Sequence, residues 1–287
     1  MQNEWLNQCK KGAQLAYESL NMVLQNPVLL SYYLIFYLAS YGLFTLAYNI
    51  LGHFIFRTLE FTHEFHVPSE QLLAEIVPTE GGLLYIALLG AIYMGITLRT
   101  FFSAACVKHT SALLHNSSIS LTQALQHTIK KSSVLLLWSL CVAGVTLLLL
   151  AWGLLPIVST IKQAVLSGSS LAWSAGTFFV LPFITLTATG IINSIERSVA
   201  MISTHALIVL SSIIVGLFLF SILLITGVYI LALLPAVTHA WLSTLAFLVL
   251  NLVGTTCYVV LKTKLFHEIE MEQLTDSEVE TPDYSQF

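Results

Sequence analysis

The densest group of metal-binding side chains lies in the segment HEFH. It contains His63, Glu64 and His66, and Glu60 precedes it by one helical turn. If the segment were helical, two imidazoles and a carboxylate could surround a divalent metal ion. The two histidines are three residues apart, however, whereas the helix of a zinc protease places them four apart. We therefore interpret the segment as a solvated acidic loop and predict neither a metal nor a cofactor.

A second group of polar side chains falls inside apolar stretches. Thr185 and Thr187 follow Pro182 in one stretch, and Asn251 and Thr255 lie in another. Hydroxyl and amide groups inside a bilayer can line a solute path, but they more often hydrogen-bond to neighbouring helices. An intramembrane carboxylate is the usual mark of ion coupling, and neither stretch has one near its centre. These five residues are our candidate intramembrane polar or hinge positions, and we favour packing over a path.

The sequence lacks the motifs of the common catalytic sites. It contains no nucleophile elbow, no phosphate-binding loop and no paired carboxylates. Its four cysteines are scattered and suggest neither a disulfide framework nor a metal site; they are Cys9, Cys106, Cys141 and Cys257. We predict that the protein is not an enzyme and has no catalytic residue.

Composition indicates a membrane protein. Hydrophobic residues make up 56% of the chain and charged residues only 9%, whereas a soluble domain has about 25% charged residues. The mean hydropathy is +0.84. The formal net charge of −4 gives no reason to expect a nucleic-acid partner. The partner that composition predicts is the lipid bilayer.

The apolar stretches predict an all-α polytopic fold with six transmembrane helices. Each is long enough, at about 1.5 Å per residue, to cross a hydrocarbon core about 30 Å thick, or nearly so. Pro182 predicts a kink in the fourth span. The connection between the first two spans is polar and carries five glutamates against one arginine. The predicted spans are residues 28–51, 83–106, 134–155, 172–189, 206–234 and 241–261.

Three amphipathic segments are predicted to lie along the membrane surface, at residues 1–27, 119–131 and 191–205. In the second of them, Leu121, Leu125 and Ile129 mark the expected buried face. Each segment precedes two spans, which predicts a threefold internal repeat of about ninety residues. Residues 1–266 then form a single integral membrane domain.

The distribution of charge predicts the orientation. Nine of the eleven basic residues fall on one side of the predicted spans, and only Arg57 and Lys162 fall on the other. Because basic residues concentrate in the cytoplasm, we predict a multi-pass protein of the cell inner membrane with both termini inside. Residues 267–287 carry seven acids and no lysine or arginine. This composition predicts a disordered cytoplasmic tail that anionic lipid repels and that is free to meet a basic protein partner.

Two runs carry a resemblance to a known family. They are RTFFSAACVKHTSALLHNSSISLTQALQHTIKKSSVLLLWSL and WSAGTFFVLPFITLTATGIINSIERS. They resemble a family of uncharacterised six-span prokaryotic membrane proteins, a domain of unknown function, and more distantly the membrane domain attached to some glycerophosphodiester phosphodiesterases. The matching residues are Phe101, Phe102, Ala104, Ala105, Ala124, Trp138, Thr177, Phe178, Phe179, Val180, Pro182, Arg197 and Ser198.

The resemblance implies a six-span fold and brings no established activity. Such relatives often have an acidic residue a few positions after the proline, where this chain has Thr187. The resemblance therefore implies no ion-binding site at that position.

Our leading functional hypothesis is a noncatalytic integral membrane protein with a structural, assembly or lipid-organising role expressed through its three surface helices. The second hypothesis is a small-solute permease, and the third is a membrane-embedded enzyme that acts on lipid. An uptake or efflux assay separates the first two, and lipid profiling of a deletion strain tests the third. The sequence leaves the ligand and the oligomeric state open.

Overall fold

The computed structural model describes residues 2–43, 45–46, 69–154, 159–187, 189–232 and 239–279. Nearly all of these residues are helical. In chain order the helices are α1 Gln2–Gln25, α2 Val28–Leu43, α3 Ser69–Leu114, α4 Leu121–Lys130, α5 Ser132–Leu154, α6 Ser159–Gly176, α7 Ile191–Thr204, α8 Ala206–Ala232 and α9 His239–Val279.

Within these ranges, four helical segments are long and apolar enough to cross a membrane. Two bent helix pairs also qualify when each pair is taken together: α1 and α2 meet at 79°, and α7 and α8 meet at 88°. Counting each pair as one span raises the total to six, which is the number of spans predicted from the sequence. The prediction of an all-α, multi-pass fold is confirmed. The four segments are Leu89–Leu114, Ser132–Gly153, Lys162–Thr187 and Leu248–Glu272.

The order of the elements repeats three times. Each of α1, α4 and α7 precedes two long apolar helices, which are α2 and α3, α5 and α6, and α8 and α9. Helix α4 packs on α3, and α7 packs on α6, so each amphipathic helix contacts the second long helix of the preceding unit. Helix α1 packs on α9 and α8 and joins the first unit to the last. The three units therefore form a closed arrangement.

The face of α4 that contacts the protein agrees in part with the predicted one. Ser120 caps the helix in a capping box with Gln123, so the start of the helix is fixed locally. Ala124 and Thr128 are buried, and Leu121 and Leu125 are partly buried against the core, whereas Ile129 is 61% exposed. Small side chains therefore contact the protein, and an isoleucine faces outward.

Helix α7 likewise packs both small residues and part of its apolar stripe on the protein, since Ile191, Ile195 and Ile202 are partly buried against the core. Ser194, Ser198 and Met201 are buried, while Ile192 is 71% exposed. The Ser198 hydroxyl accepts a hydrogen bond of 3.0 Å from the backbone N–H of Phe179. Serine allows close approach and satisfies backbone groups, which explains why it occupies the packed face.

The hydrophobic core lies at the end of the molecule that carries the amphipathic helices. We define the core layer as α1, α4, α7, the first turns of α2, α5 and α8, residues 177–187 and 189–190, and the parts of α3 and α9 that follow Arg99 and Leu261. Large buried side chains concentrate there, whereas many apolar side chains of the opposite halves of the helices are exposed. Exposed examples are Leu38, Tyr41, Leu148, Leu150, Phe218, Ile225 and Tyr229. Lipid tails suit such surfaces.

Helix α9 extends well beyond the predicted end of the sixth span, at residue 261. Its 41 residues measure roughly 60 Å, about twice the thickness of a hydrocarbon core. Residues 267–279, predicted to be disordered, are helical, and Leu265, Phe266 and Ile269 are fully buried against α1 and the start of α8. The acidic composition suggested a solvated tail. The sequence did not show that α1, at the other end of the chain, covers the apolar face of this segment. Residues 280–287 lie outside the described residues.

Charged contacts fasten the extension of α9 to α1. Lys11 donates a hydrogen bond of 3.0 Å to Glu272, and its Nζ lies 3.1 Å from Glu268 Oε1. Lys264 pairs with Glu18. The hydrogen bond from Lys264, followed by one from the Gln14 amide, holds the pKa of the Glu18 carboxyl below its ordinary value. Two acids that we expected to meet a basic partner are therefore already engaged by Lys11.

Helix α3 begins earlier than the predicted second span. Residues 69–82, assigned from sequence to the polar connection, belong to the helix, although we predicted a start at Leu83. Apolar residues at positions 72, 73, 76 and 77 recur with helical spacing between the glutamates, and acidic residues favour the first turns of a helix. The remainder of that connection, residues 52–68, lies outside the described residues, as does the HEFH segment.

The fourth span is broken before its proline. Helix α6 ends at Gly176, residues 177–179 form a turn, and the chain continues as one helical turn, Val180–Pro182, and a π-helical turn, Phe183–Thr187. Proline has no N–H and its ring clashes with the carbonyl four residues earlier, so the turn lies where the helix cannot continue. The predicted kink is thus a break, and the apolar segment starts at Lys162 rather than at residue 172.

Candidate functional site

The main feature that combines polar and apolar side chains is a partly open cavity of about 310 Å³ beside α9. Helices α8 and α9 form its walls, α1 closes one end, and Arg99 of α3 completes the polar side. The lining residues are Ala16, Leu20, Arg99, Ile213, Gly216, Leu217, Leu219, Phe220, Asn251, Val253, Gly254, Thr255, Cys257, Tyr258 and Leu261.

Two glycines explain the shape of the cavity. A Cβ built on Gly254 would lie 2.4 Å from Cε2 of Phe220, so the phenyl ring packs directly on the backbone of α9. A Cβ built on Gly216 would only meet Leu261 Cδ2, at an ordinary 3.5 Å. The missing side chain at Gly216 therefore leaves space that a ligand can use, while Gly254 holds the two walls together.

Aromatic rings and two cations define the polar side of the cavity. Arg99 is exposed and lines it together with Tyr258. The Lys262 Nζ lies 4.5 Å from the centroid of the Tyr258 ring and 4.6 Å from that of Phe178. Both distances are within the range of a cation–π interaction. Lys262 is therefore held next to the cavity by the ring that lines it.

A search for relatives adds nothing to this geometry. No family model, curated protein or solved structure matches the chain. The family resemblance carried by the sequence motifs stays a prediction. Function has to be inferred from the site itself.

The structure brings together two of the five candidate polar positions. Asn251 and Thr255 both line the cavity. Pro182, Thr185 and Thr187 belong to the broken segment after α6, where the first two are buried. The polar residues of the fourth and sixth spans therefore serve two different places in the fold.

The broken segment is stabilised by polar contacts. Lys131, which follows α4, donates hydrogen bonds of 3.0 Å to the carbonyl oxygen of Ile184 and 2.7 Å to that of Thr185. Burial, followed by repulsion from Lys108, lowers the pKa of the Lys131 ammonium. The two carbonyl oxygens offset this cost because they accept from the charged form. Lys131 thus acts as a fixed cation that satisfies the π-helical turn.

A chain of hydroxyl groups links the same segment to α7. Thr187 Oγ1 lies 3.2 Å from Thr189 Oγ1, which lies 2.7 Å from Ser194 Oγ. Thr187 also donates to the carbonyl oxygen of Phe183, and Ser194 donates to that of Gly190. These hydroxyls therefore connect the π-helical turn to the first turn of α7. Thr187 thus makes its hydrogen bonds within this segment, and the preference for packing over a path stays a prediction.

One serine–histidine pair resembles part of a hydrolytic site. Ser111 Oγ lies 2.9 Å from Nε2 of His267, and the His267 ring packs edge-on against His115 with centroids 5.0 Å apart. Ser111 is buried and belongs to the core layer. A nucleophile needs access to its substrate, so we interpret the pair as a structural contact between α3 and α9.

Sequence reasoning missed the residues that give the cavity its charge. From the sequence, Arg99 and Lys262 are only two of the nine basic residues that fall on one side of the predicted spans. The sequence does show that each of the two residues follows the apolar part of its helix, so both are expected at a similar depth in the membrane. A similar depth does not by itself show that α3 and α9 are neighbours. That information comes from packing between distant parts of the chain.

Proposed function

We propose that this protein is a noncatalytic integral membrane protein that binds a membrane lipid in the cavity and thereby organises lipid in one leaflet. The cavity carries this proposal because its apolar walls on α8 and α9 meet a polar side formed by Arg99, Asn251 and Thr255. An amphiphilic lipid is likewise divided into apolar acyl chains and a polar headgroup. A partly open cavity of about 310 Å³ accommodates part of a phospholipid and leaves the rest in the bilayer.

The amphipathic helices support the same role. Each of them exposes large apolar side chains, such as Trp5 on α1 at 53%, Ile129 on α4 and Ile192 on α7. A helix that packs one face on the protein and exposes further large apolar side chains is suited to lie at the boundary between headgroups and acyl chains. Three such helices around one molecule would contact a ring of lipids.

We further propose that the protein lies in the cell inner membrane with both termini in the cytoplasm, on the charge asymmetry given above. In a background without the four native cysteines, Glu70→Cys is expected to react with an impermeant reagent from outside. Ser120→Cys is expected to react only after permeabilisation. The reverse labelling pattern would overturn this orientation.

A permease is the second candidate, because Asn251 and Thr255 place polar groups in the wall of a cavity within a predicted span. Proteoliposomes distinguish the two functions. A permease changes the flux of a solute, whereas a lipid-organising protein changes the lipids that accompany it. Lipid profiling of a deletion strain addresses the third hypothesis, since a lipid enzyme would leave an accumulated substrate.

Filling the cavity is expected to reduce lipid binding. Gly216→Leu adds a side chain at a lining position where a Cβ meets only Leu261 at ordinary contact distance, so the helix tolerates it while the space is lost. We expect roughly tenfold less lipid, equivalent to about 1.4 kcal/mol, to remain bound in native mass spectrometry.

The matched control is Gly144→Leu on α5, where a Cβ meets nothing within 4 Å. It makes the same substitution away from the cavity and is expected to leave bound lipid unchanged. Equal lipid retention by the two variants would contradict binding in the cavity.

A further inference from the structure

We propose that the lipid bound in this cavity is an anionic phospholipid whose phosphate is held by Arg99 and Lys262. This inference rests on the proposed function, since it specifies the headgroup of the lipid that the cavity binds. It goes further by assigning a charge to the ligand and a binding role to two residues.

The two cations lack acidic partners within the described residues. Neither Arg99 nor Lys262 has a carboxylate oxygen within 4 Å there. By contrast, Lys11 and Lys264 of the same layer pair with glutamates, and Lys131 donates to two carbonyl oxygens. Arg99 and Lys262 are therefore available to bind an anionic ligand.

Arg99 lines the cavity together with Tyr258, and the ammonium of Lys262 lies over the ring of the same tyrosine, so the two cations are on one side of the cavity. Two like charges near a low-dielectric region raise the energy of the empty site. An anion located next to both would replace repulsion with two attractions. A phosphate is well suited because a guanidinium donates two parallel hydrogen bonds to it and an ammonium adds a point charge.

The site also holds Lys262 in place. Its ammonium interacts with the rings of Phe178 and Tyr258, at 4.6 and 4.5 Å from their centroids. The Phe178 and Tyr258 rings pack edge-on against each other with centroids 5.8 Å apart. A cation positioned before the ligand arrives loses little side-chain entropy on binding.

The apolar walls distinguish a lipid phosphate from a free one. Ile213, Leu217, Leu219 and Phe220 line the cavity on the α8 side, and Val253 adds to it from α9. Inorganic phosphate would leave these side chains without a partner, whereas an acyl chain would cover them. Basic pockets between transmembrane helices are known to bind anionic headgroups in this way.

The test uses the full-length delipidated protein in detergent and compares dioleoyl phosphatidylglycerol, dioleoyl phosphatidylcholine and inorganic phosphate by native mass spectrometry and thermal stability. We expect phosphatidylglycerol to bind about tenfold more tightly than phosphatidylcholine, since it carries the net charge that the cations attract. Arg99→Gln and Lys262→Met should each remove most of this preference. Lys130→Gln, which removes a cation exposed on α4 away from the cavity, should retain it.

Equal affinity for the two lipids, with both lost in Gly216→Leu, would overturn the anionic headgroup and leave lipid binding intact. If neither lipid bound, the proposed function would fail as well. If inorganic phosphate displaced phosphatidylglycerol at equal concentration, the ligand would be a free anion and the lipid claim would be overturned. Equal affinity for the two lipids in the unmodified protein is by itself enough to overturn the anionic headgroup, so that outcome does not depend on whether a variant folds.

Discussion

Replacing Gly12 with alanine destabilises the protein, although alanine is the better helix former. A Cβ at this position in α1 would lie 2.7 Å from the carbonyl oxygen of Ile208 and 2.0 Å from Ser211 Oγ in α8. The serine can rotate away, but the backbone oxygen cannot. Helices α1 and α8 must therefore move apart. We expect a net loss of about 2 kcal/mol from this overpacking, seen as a melting temperature in detergent lower by roughly 5 °C.

The control for this prediction is Gly144→Ala on α5, where the added methyl group meets nothing within 4 Å. The remaining effect of this substitution is helix propensity, which favours alanine over glycine by up to about 1 kcal/mol. The two variants are expected to shift the melting temperature in opposite directions. A Gly12→Ala protein as stable as the unmodified one would mean that α1 does not cross α8 at this distance.

Replacing Lys131 with methionine is expected to cost about 2 kcal/mol. Methionine keeps most of the volume but removes the donor to the carbonyl oxygens of Ile184 and Thr185, and acceptors left unsatisfied in a buried segment are costly. Thermal unfolding in detergent measures the loss.

The adjacent lysine provides the matched control. Lys130 is exposed at the end of α4, so Lys130→Met removes the same charge one residue earlier without freeing a carbonyl oxygen. We expect a change within about 0.5 kcal/mol, as for most surface substitutions. If Lys131→Met were as stable as Lys130→Met, the broken segment would not depend on the lysine.

Local signals explain what could be predicted of the fold. The amphipathic spacing placed α4 and α7 to within about two residues of their observed ends. Hydropathy located the spans because it depends only on neighbouring residues. The threefold order of elements followed from the same local patterns.

Long-range packing explains what could not be predicted. Residues after His267 look like a solvated acidic tail, yet Ile269 is fully buried because α1, from the other end of the chain, covers it. The outward face of α7 also depends on its neighbours: Ser198 faces inward because Phe179 offers it an N–H. Neither contact can be deduced from the amino-acid composition.

The candidate site shows the same division. Asn251 and Thr255 could be identified as intramembrane polar groups from their positions in an apolar stretch. Their association with Arg99 could not, because it requires knowing that α3 lies beside α9. The space itself arises from Gly216, whose role depends on what faces it on α9.

Electron cryomicroscopy of the full-length protein in nanodiscs of mixed phosphatidylglycerol and phosphatidylcholine gives the most direct test of lipid binding in the cavity. We predict elongated density between α8 and α9, with its headgroup end at Arg99 and its acyl end along Leu217 and Phe220. The same density should be absent from Gly216→Leu. A cavity that contained only water, or α8 and α9 closed upon each other, would contradict the proposed function.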